Sequence, residues 1–222
     1  MTGNRNIRIA PSILSADFSQ LQKEVDRVKN ADALHIDVMD GRFVDNITFG
    51  PVVIERLKTT LERDVHLMIE RPEKYVTAFV RAGANTISFH VNATKSPGAV
   101  IAKIRKLGCR VGLAINPDKP VAMIAPYLKK IDQVLIMSVY AGFGGQKFIP
   151  SVLDKVRQLR AKHGFKGDIE IDGGINGETV VDAVQAGCNV IVAGSFVFGA
   201  KSPSKQVEML RKKAQVTIGK SS

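Results

Sequence analysis

Eight short runs of β-branched and apolar residues alternate with amphipathic stretches along this chain, and the polar residues gather where the runs end. The runs are residues 7–13, 33–39, 64–68, 86–90, 110–115, 133–138, 168–172 and 190–194. They are too apolar to leave one face in water, which predicts parallel strands covered by helices. Between them, residues 17–30, 71–83, 96–108, 151–164, 176–187 and 202–214 carry apolar side chains at helical spacing. Asp17 is placed to cap the first of these, and Pro72 falls in the first turn of the second. Eight strand-plus-helix units predict an α/β fold, a closed (β/α)8 barrel, with a doubly wound open sheet as the alternative. The position of the polar residues favours the barrel. Ser12, His35, Asp37, His66, His90, Asn116, Ser138, Asp172, Gly194 and Ser195 all stand at strand C-terminal ends. A barrel collects those ends on one rim, whereas an open sheet spreads them over two crevices.

The chain of 222 residues suffices for one domain spanning residues 1–222, with no linker and with short, loose termini, including the tail IGKSS. Hydrophobic residues at 45% and charged residues at 24% argue against disorder. No apolar run approaches the roughly 18 residues of a membrane span, and the first residues carry no secretory pattern. Cys109 and Cys188 stand far apart, so two reduced thiols and a cytoplasmic location are expected. The net charge of +11 is spread along the chain, and Trp is absent. Without basic blocks interleaved with aromatics, nucleic acid is not an expected partner, and an anionic small molecule fits better.

Residues 34–41, LHIDVMDG, raise the question of chemistry. On a strand, His35 and Asp37 point the same way, and a covered carboxylate needs a partner or a metal. His66 ends the third strand and Asp172 the seventh. Together these two imidazoles and two carboxylates form a candidate site for one divalent ion, zinc first, with iron, manganese or cobalt also accommodated. Asp40 reads as a turn former, His90 as a residue able to line the pocket, and His163 as a surface residue. Glycine-rich turns follow the late strands at GFGGQ (142–146), DGGIN (172–176) and AGS (193–195). Their backbone N–H groups can converge on a phosphate. Met39, Met68 and Met137, also near strand ends, form a candidate polarizable lid over the reacting carbons.

The phrases APSILSADF, HIDVMDGRFV, DVHLM, GFGGQKF, EIDGGIN and VAGSFVFG, in this order from about residue 9 to 200, resemble the ribulose-phosphate 3-epimerase family. The resemblance implies a TIM barrel of the ribulose-phosphate-binding type and an isomerase of the pentose phosphate pathway. That isomerase would interconvert D-ribulose 5-phosphate and D-xylulose 5-phosphate by epimerisation at C3. It implies a divalent metal on His35, Asp37, His66 and Asp172, with Asp37 and Asp172 as the acid–base pair passing a proton through an enediolate. It further implies that Ser12 and His66 touch the ketose phosphate. Gly142, Phe143, Gly144, Gly145, Gly173, Gly174, Gly194 and Ser195 would hold its phosphate end. Homo-oligomers, dimers or hexamers, are the implied assemblies. The chain departs from the family at Tyr140-Ala141, where Asn-Pro is usual, and at Asn92, where an acidic residue is usual. The rival readings are a D-allulose 6-phosphate 3-epimerase, an aldolase or a phosphate-binding isomerase or synthase on the same barrel, often with a Schiff-base lysine, and a basic barrel acting as a binding protein. No lysine ends a predicted strand, which weighs against the aldolase.

Overall fold

The computed structural model describes residues 6–219. Its strands are β1 (Arg8–Pro11), β2 (Ala33–Met39), β3 (Glu62–Met68), β4 (Thr86–His90), β5 (Arg110–Ile115), β6 (Gln133–Met137), β7 (Asp168–Asp172) and β8 (Val190–Ala193). All pair in parallel, in the order β1-β8-β7-β6-β5-β4-β3-β2. The remaining seam is joined by a parallel bridge between Ser12 and His35, so the sheet curls into a nearly closed barrel.

The outer layer contains α1 (Leu21–Asp26), α2 (Pro51–Arg56), α3 (Val76–Arg81), α4 (Pro97–Lys106), α5 (Leu153–Arg157), α6 (Thr179–Ala186), α7 (Ser195–Phe198) and α8 (Pro203–Gly219). Most are shorter than the periodicity suggested. The stretch at 17–30 divides into a 3-10 turn at Phe18–Gln20, capped by Asp17, and the six residues of α1. The stretch at 151–164 ends in a π-helical turn, Gln158–Lys162. The expectation of a helix after every strand fails between β5 and β6, where only 3-10 turns form, Val121–Met123 and Ala125–Lys130. Pro117, Pro120 and Pro126 lie in this connection, and proline both lacks a donor and clashes with a preceding helical turn. Helices α2 and α7, too short to show a period, were absent from the sequence reading. Helix α8 runs on to Gly219, so the first two residues of the expected tail are helical, and residues 1–5 and 220–222 lie outside the described residues.

The main core lies between strands and helices. Leu34, Ile36 and Val38 of β2 join it, with Ile54 of α2 and Phe79 of α3. Each fully buried side chain of this kind contributes roughly 1.5–3 kcal/mol. Inside the barrel the apolar filling is sparse: Ala10, Ala33, Val190 and Val192 form one small cluster, and Ala114, Leu135, Met137 and Val139 another. Polar side chains occupy much of the rest, among them His35, Asp37, Asp64, His66, Ser88, His90, Gln133 and Glu170, all buried.

Candidate metal centre and active site

The period-two alternation of β2 sends His35 and Asp37 into the barrel, opposite Leu34, Ile36 and Val38. In the β2–β3 register Asp37 faces His66, and β7 delivers Asp172 across the interior. One donor atom from each of His35, Asp37, His66 and Asp172 lies within 4.8 Å of the others. His35 Nε2 stands 3.4 Å from Asp37 Oδ1 and 3.8 Å from Asp172 Oδ2. His66 Nδ1 is 3.1 Å from the same Asp37 oxygen. His35 Nε2 is buried without a hydrogen-bond partner. An orphaned imidazole nitrogen facing two carboxylates and a second imidazole fits a divalent cation held by two nitrogens and two oxygens.

The surroundings set the two carboxyls apart. Burial opposes ionisation of Asp37, but the charge of the neighbouring His35, together with His66, holds its carboxyl far below the usual range. Ser12 Oγ donates to Asp37 Oδ2 at 2.6 Å. Asp172 gains less compensation: burial and the charge of Asp37 push it up to about 6. Burial also opposes a charged His35, yet Asp37 and Glu170 raise that imidazole well above its ordinary value.

The cavity above these donors is lined by Ser12, Asp37 and Asp172. Met39, Met68 and Met137 form an apolar wall of it, buried rather than lid-like. Residues Gly142, Phe143, Gly144 and Gly145 border it on one side, and Gly173, Gly174, Gly194 and Ser195 on another. His35 and His66 are fully buried behind the cavity wall. Gly174 has φ +64°, and a Cβ there would meet the Phe148 backbone nitrogen at 2.4 Å. Only glycine allows that turn to bring its backbone so close to the neighbouring loop. The loop after β6 is tied down by Gln146 Nε2, which donates to the carbonyls of Tyr140 and Phe143 at 2.7 and 2.8 Å. Asn46 Nδ2 donates to the Gly142 carbonyl at 2.8 Å.

His90 does not line this cavity. It lies fully buried, with Nε2 2.9 Å from His66 Nε2 and its ring 4.9 Å from that of Phe43. Asp40 does form its turn, accepting from the backbone of Arg42, Phe43 and Glu70. His163 is exposed. Sequence reasoning missed Ser15, Val139 and Tyr140 in the cavity wall, and Asp64, Gln133 and Glu170 below the donors. A signal for two of these was available. Asp64 precedes His66 by two residues and Glu170 precedes Asp172 by two, the spacing that joins His35 to Asp37.

The family model described as "Ribulose-phosphate 3 epimerase family" matches residues 8–198. The chain belongs to the ribulose-phosphate 3-epimerase family. It is 45% identical over 213 residues to the ribulose-phosphate 3-epimerase of Bacillus subtilis (strain 168), covering 92% of this chain and 98% of the relative. The Synechocystis sp. ribulose-phosphate 3-epimerase is 46% identical, with 94% of each chain covered. Membership makes the protein an isomerase, and sets aside the reading of a barrel that only binds. Solved structures agree on the fold. A 3-hexulose-6-phosphate synthase from Salmonella typhimurium superposes with a TM-score of 0.73 at 17% identity, over 95% of this chain and 100% of the other. The KGPDC of Streptococcus mutans in complex with D-R5P gives 0.74 at 14% identity, over 95% and 98%. Among the described residues, no helix is long and apolar enough to cross a membrane.

Proposed function

We propose that this enzyme interconverts D-ribulose 5-phosphate and D-xylulose 5-phosphate by inverting C3, with Asp37 and Asp172 as the acid–base pair. The observation that carries the reading is the pair itself. Two carboxyls with donor atoms within 4.8 Å of each other, one held ionised and one pushed up to about 6, open into a single cavity. Inverting a carbon next to a carbonyl requires a base on one face and an acid on the other, and environments that push two carboxyls apart assign those roles.

In the forward direction one aspartate takes the C3 proton. The C3–H electron pair moves into the C2–C3 bond and charge develops on the C2 oxygen, giving an enediolate. The second aspartate, carrying a proton, returns it to C3 from the opposite face, and the roles exchange in reverse. Ser12, donating to Asp37 Oδ2, leaves the other oxygen of that carboxylate turned toward the imidazoles. The methionine wall limits water beside the reacting carbons. Backbone N–H groups at Gly142–Gly145, Gly173, Gly174, Gly194 and Ser195 serve as the phosphate handle, whose binding energy positions C3. His35, Asp37, His66 and Asp172 hold the divalent cation, zinc by this donor set, with iron, manganese or cobalt also matching it. Bound there, the cation supplies Lewis-acid polarisation of the ketone oxygen.

The same reading places the enzyme in the pentose phosphate pathway and in the cytoplasm, where the buried, unpaired Cys109 and Cys188 are at home. It makes the protein a homo-oligomer, dimer or hexamer. Ile47 and Val52, 74% and 69% exposed, are apolar surface suited to burial between copies.

The test is proton NMR of the purified protein with D-ribulose 5-phosphate in heavy water, repeated with D-allulose 6-phosphate and after chelation. Deuterium entering C3 as xylulose 5-phosphate forms, with both lost on chelation, is the expected result. Exchange with the six-carbon sugar alone overturns the substrate assignment, and exchange that survives exhaustive metal removal overturns the metal requirement.

A further inference from the structure

Beneath the donor set lies a buried polar group that the reaction above does not use. His35 is fully buried, and its two ring nitrogens face different surroundings. Nε2 looks up toward Asp37 and Asp172. Nδ1 looks down, 3.0 Å from Asp64 Oδ2 and 3.3 Å from Glu170 Oε1. The remaining oxygens of those two carboxyls are tied to one amide. Gln133 Nε2 donates to Glu170 Oε2 at 2.6 Å and reaches Asp64 Oδ1 at 3.4 Å and Ser88 Oγ at 3.5 Å. Asp64 comes from β3, and Gln133 and Glu170 come from the neighbouring strands β6 and β7, and none of them lines the substrate cavity.

We propose that Asp64 and Glu170, tied together by the Gln133 amide, are positioning residues for His35, holding Nδ1 so that Nε2 is presented to the metal. An imidazole that donates from one nitrogen offers a lone pair at the other, and the partner that accepts the hydrogen fixes both tautomer and ring angle. Here the acceptors are themselves fixed, since Gln133 restrains both carboxyls from the far side. Three polar residues in the middle of a barrel are a poor means of filling space, because apolar side chains of the same shape pack there without desolvation. Their arrangement around one nitrogen of a proposed ligand is what they contribute. His35, Asp64 and Glu170 also have the spacing of a second cation site. His35 Nδ1 and the Gln133 amide already engage three of the four carboxyl oxygens, and Glu170 Oε1 alone has no hydrogen-bond partner, so both oxygens of Asp64 are committed to His35 and Gln133.

The inference rests on the metal-centre reading, and the experiment separates the two. Co2+ is titrated into chelator-stripped wild type, Asp64→Asn, Asp64→Leu and Gln133→Leu, with affinity read by chelator competition and site geometry by the visible spectrum. Circular dichroism and thermal unfolding of the metal-free proteins establish which variants fold. Wild type is expected to bind one equivalent. Asp64→Leu, which leaves Nδ1 without its nearest acceptor, is expected to lose roughly 10–100-fold in Co2+ affinity with a shifted spectrum. Asp64→Asn keeps an acceptor and is expected to recover most of that loss. Should Asp64→Leu not fold, Gln133→Leu, which leaves both carboxyls in place but unrestrained, is expected to lose several-fold with an altered spectrum. Wild-type affinity and spectrum in the folded variants overturn the inference while the metal reading stands. Two equivalents of Co2+ in wild type overturn it as well, since the lower cluster would then be a binding site. Absence of Co2+ binding to wild type overturns both.

Discussion

Asp172 pays for its place in the site, and the effect is measurable without substrate. Its folded-state value of about 6 lies above the ordinary carboxyl value, because burial and Asp37 disfavour the charged form. A raised carboxyl contributes stability below its unfolded value near 4, and that contribution is lost as pH rises through about 6. Metal-free Asp172→Asn is therefore expected to match metal-free wild type near pH 4 and to exceed it at pH 8. The gap should be on the order of 1–3 kcal/mol, read as a difference in melting temperature. Activity should move the opposite way, with kcat falling roughly 10²–10⁴-fold because one half of the proton transfer is gone. A variant with near-normal turnover would remove Asp172 from the acid–base pair. The donors His35, Asp37, His66 and Asp172 were legible because each interrupts an apolar strand where a polar residue is out of place, although His35 is the third residue of β2 and not at its end. Asp64, Glu170 and Gln133 were less legible because they lie below the rim, buried and away from the cavity. One layer lower, alternation alone does not distinguish a barrel interior from a helix-covered face.

At the level of elements, the strands were easier to read than the helices, for a physical reason. A parallel strand buried on both faces announces itself as an unbroken apolar run, as β8 does. Helices in this barrel are short and often begin or end in 3-10 turns, so α2 and α7 offer too few residues for a period to emerge. The β5–β6 connection carries prolines that no periodicity count weighs. Loops were legible as glycine clusters, but the bonds that fix them were not. The loop after β6 is restrained by Gln146, which bridges the Tyr140 and Phe143 carbonyls. Removing that bridge acts on loop order rather than on the carboxyl pair. Gln146→Ala is expected to raise KM for the sugar phosphate several-fold, from the loss of two hydrogen bonds worth about 1 kcal/mol each, with kcat and metal content near wild type. Steady-state kinetics with metal analysis of the same samples checks this, and an equal fall in kcat would instead tie the loop to the chemical step.

Across the whole molecule, polar side chains occupy much of the barrel interior, and its two mouths are specialised differently. The C-terminal mouth carries the donors and the glycine-rich turns proposed to hold the phosphate. The N-terminal mouth is closed by charge: Arg8 of β1 pairs with Glu62 of β3, and Asp168 of β7 pairs with Arg110 of β5 while lying 3.8 Å from Arg8. These pairs link alternate strands across the opening, where one barrel layer is built. Burial opposes the ionised Asp168, but the hydrogen bonds from Arg110 and Asn189 hold its carboxyl below the usual range. A lowered carboxyl contributes stability that is fully present above its unfolded value near 4 and is lost as pH falls through the folded value. Asp168 is 24% exposed, so the contribution is discounted for solvent to on the order of 1 kcal/mol, about 2–4 °C for a chain this size. Thermal unfolding of wild type and Asp168→Asn should therefore differ by that amount at pH 7 and converge as pH falls through the lowered folded value of Asp168, below which both carry a neutral side chain. The mouth lies at the opposite end of the strands from Asp37 and Asp172, so turnover at 25 °C and pH 7 should stay near wild type. A gap in melting temperature that persists unchanged into acid would show that the ion pairs are not what closes this end. A loss of turnover at pH 7 would show that the two mouths are coupled through the polar interior.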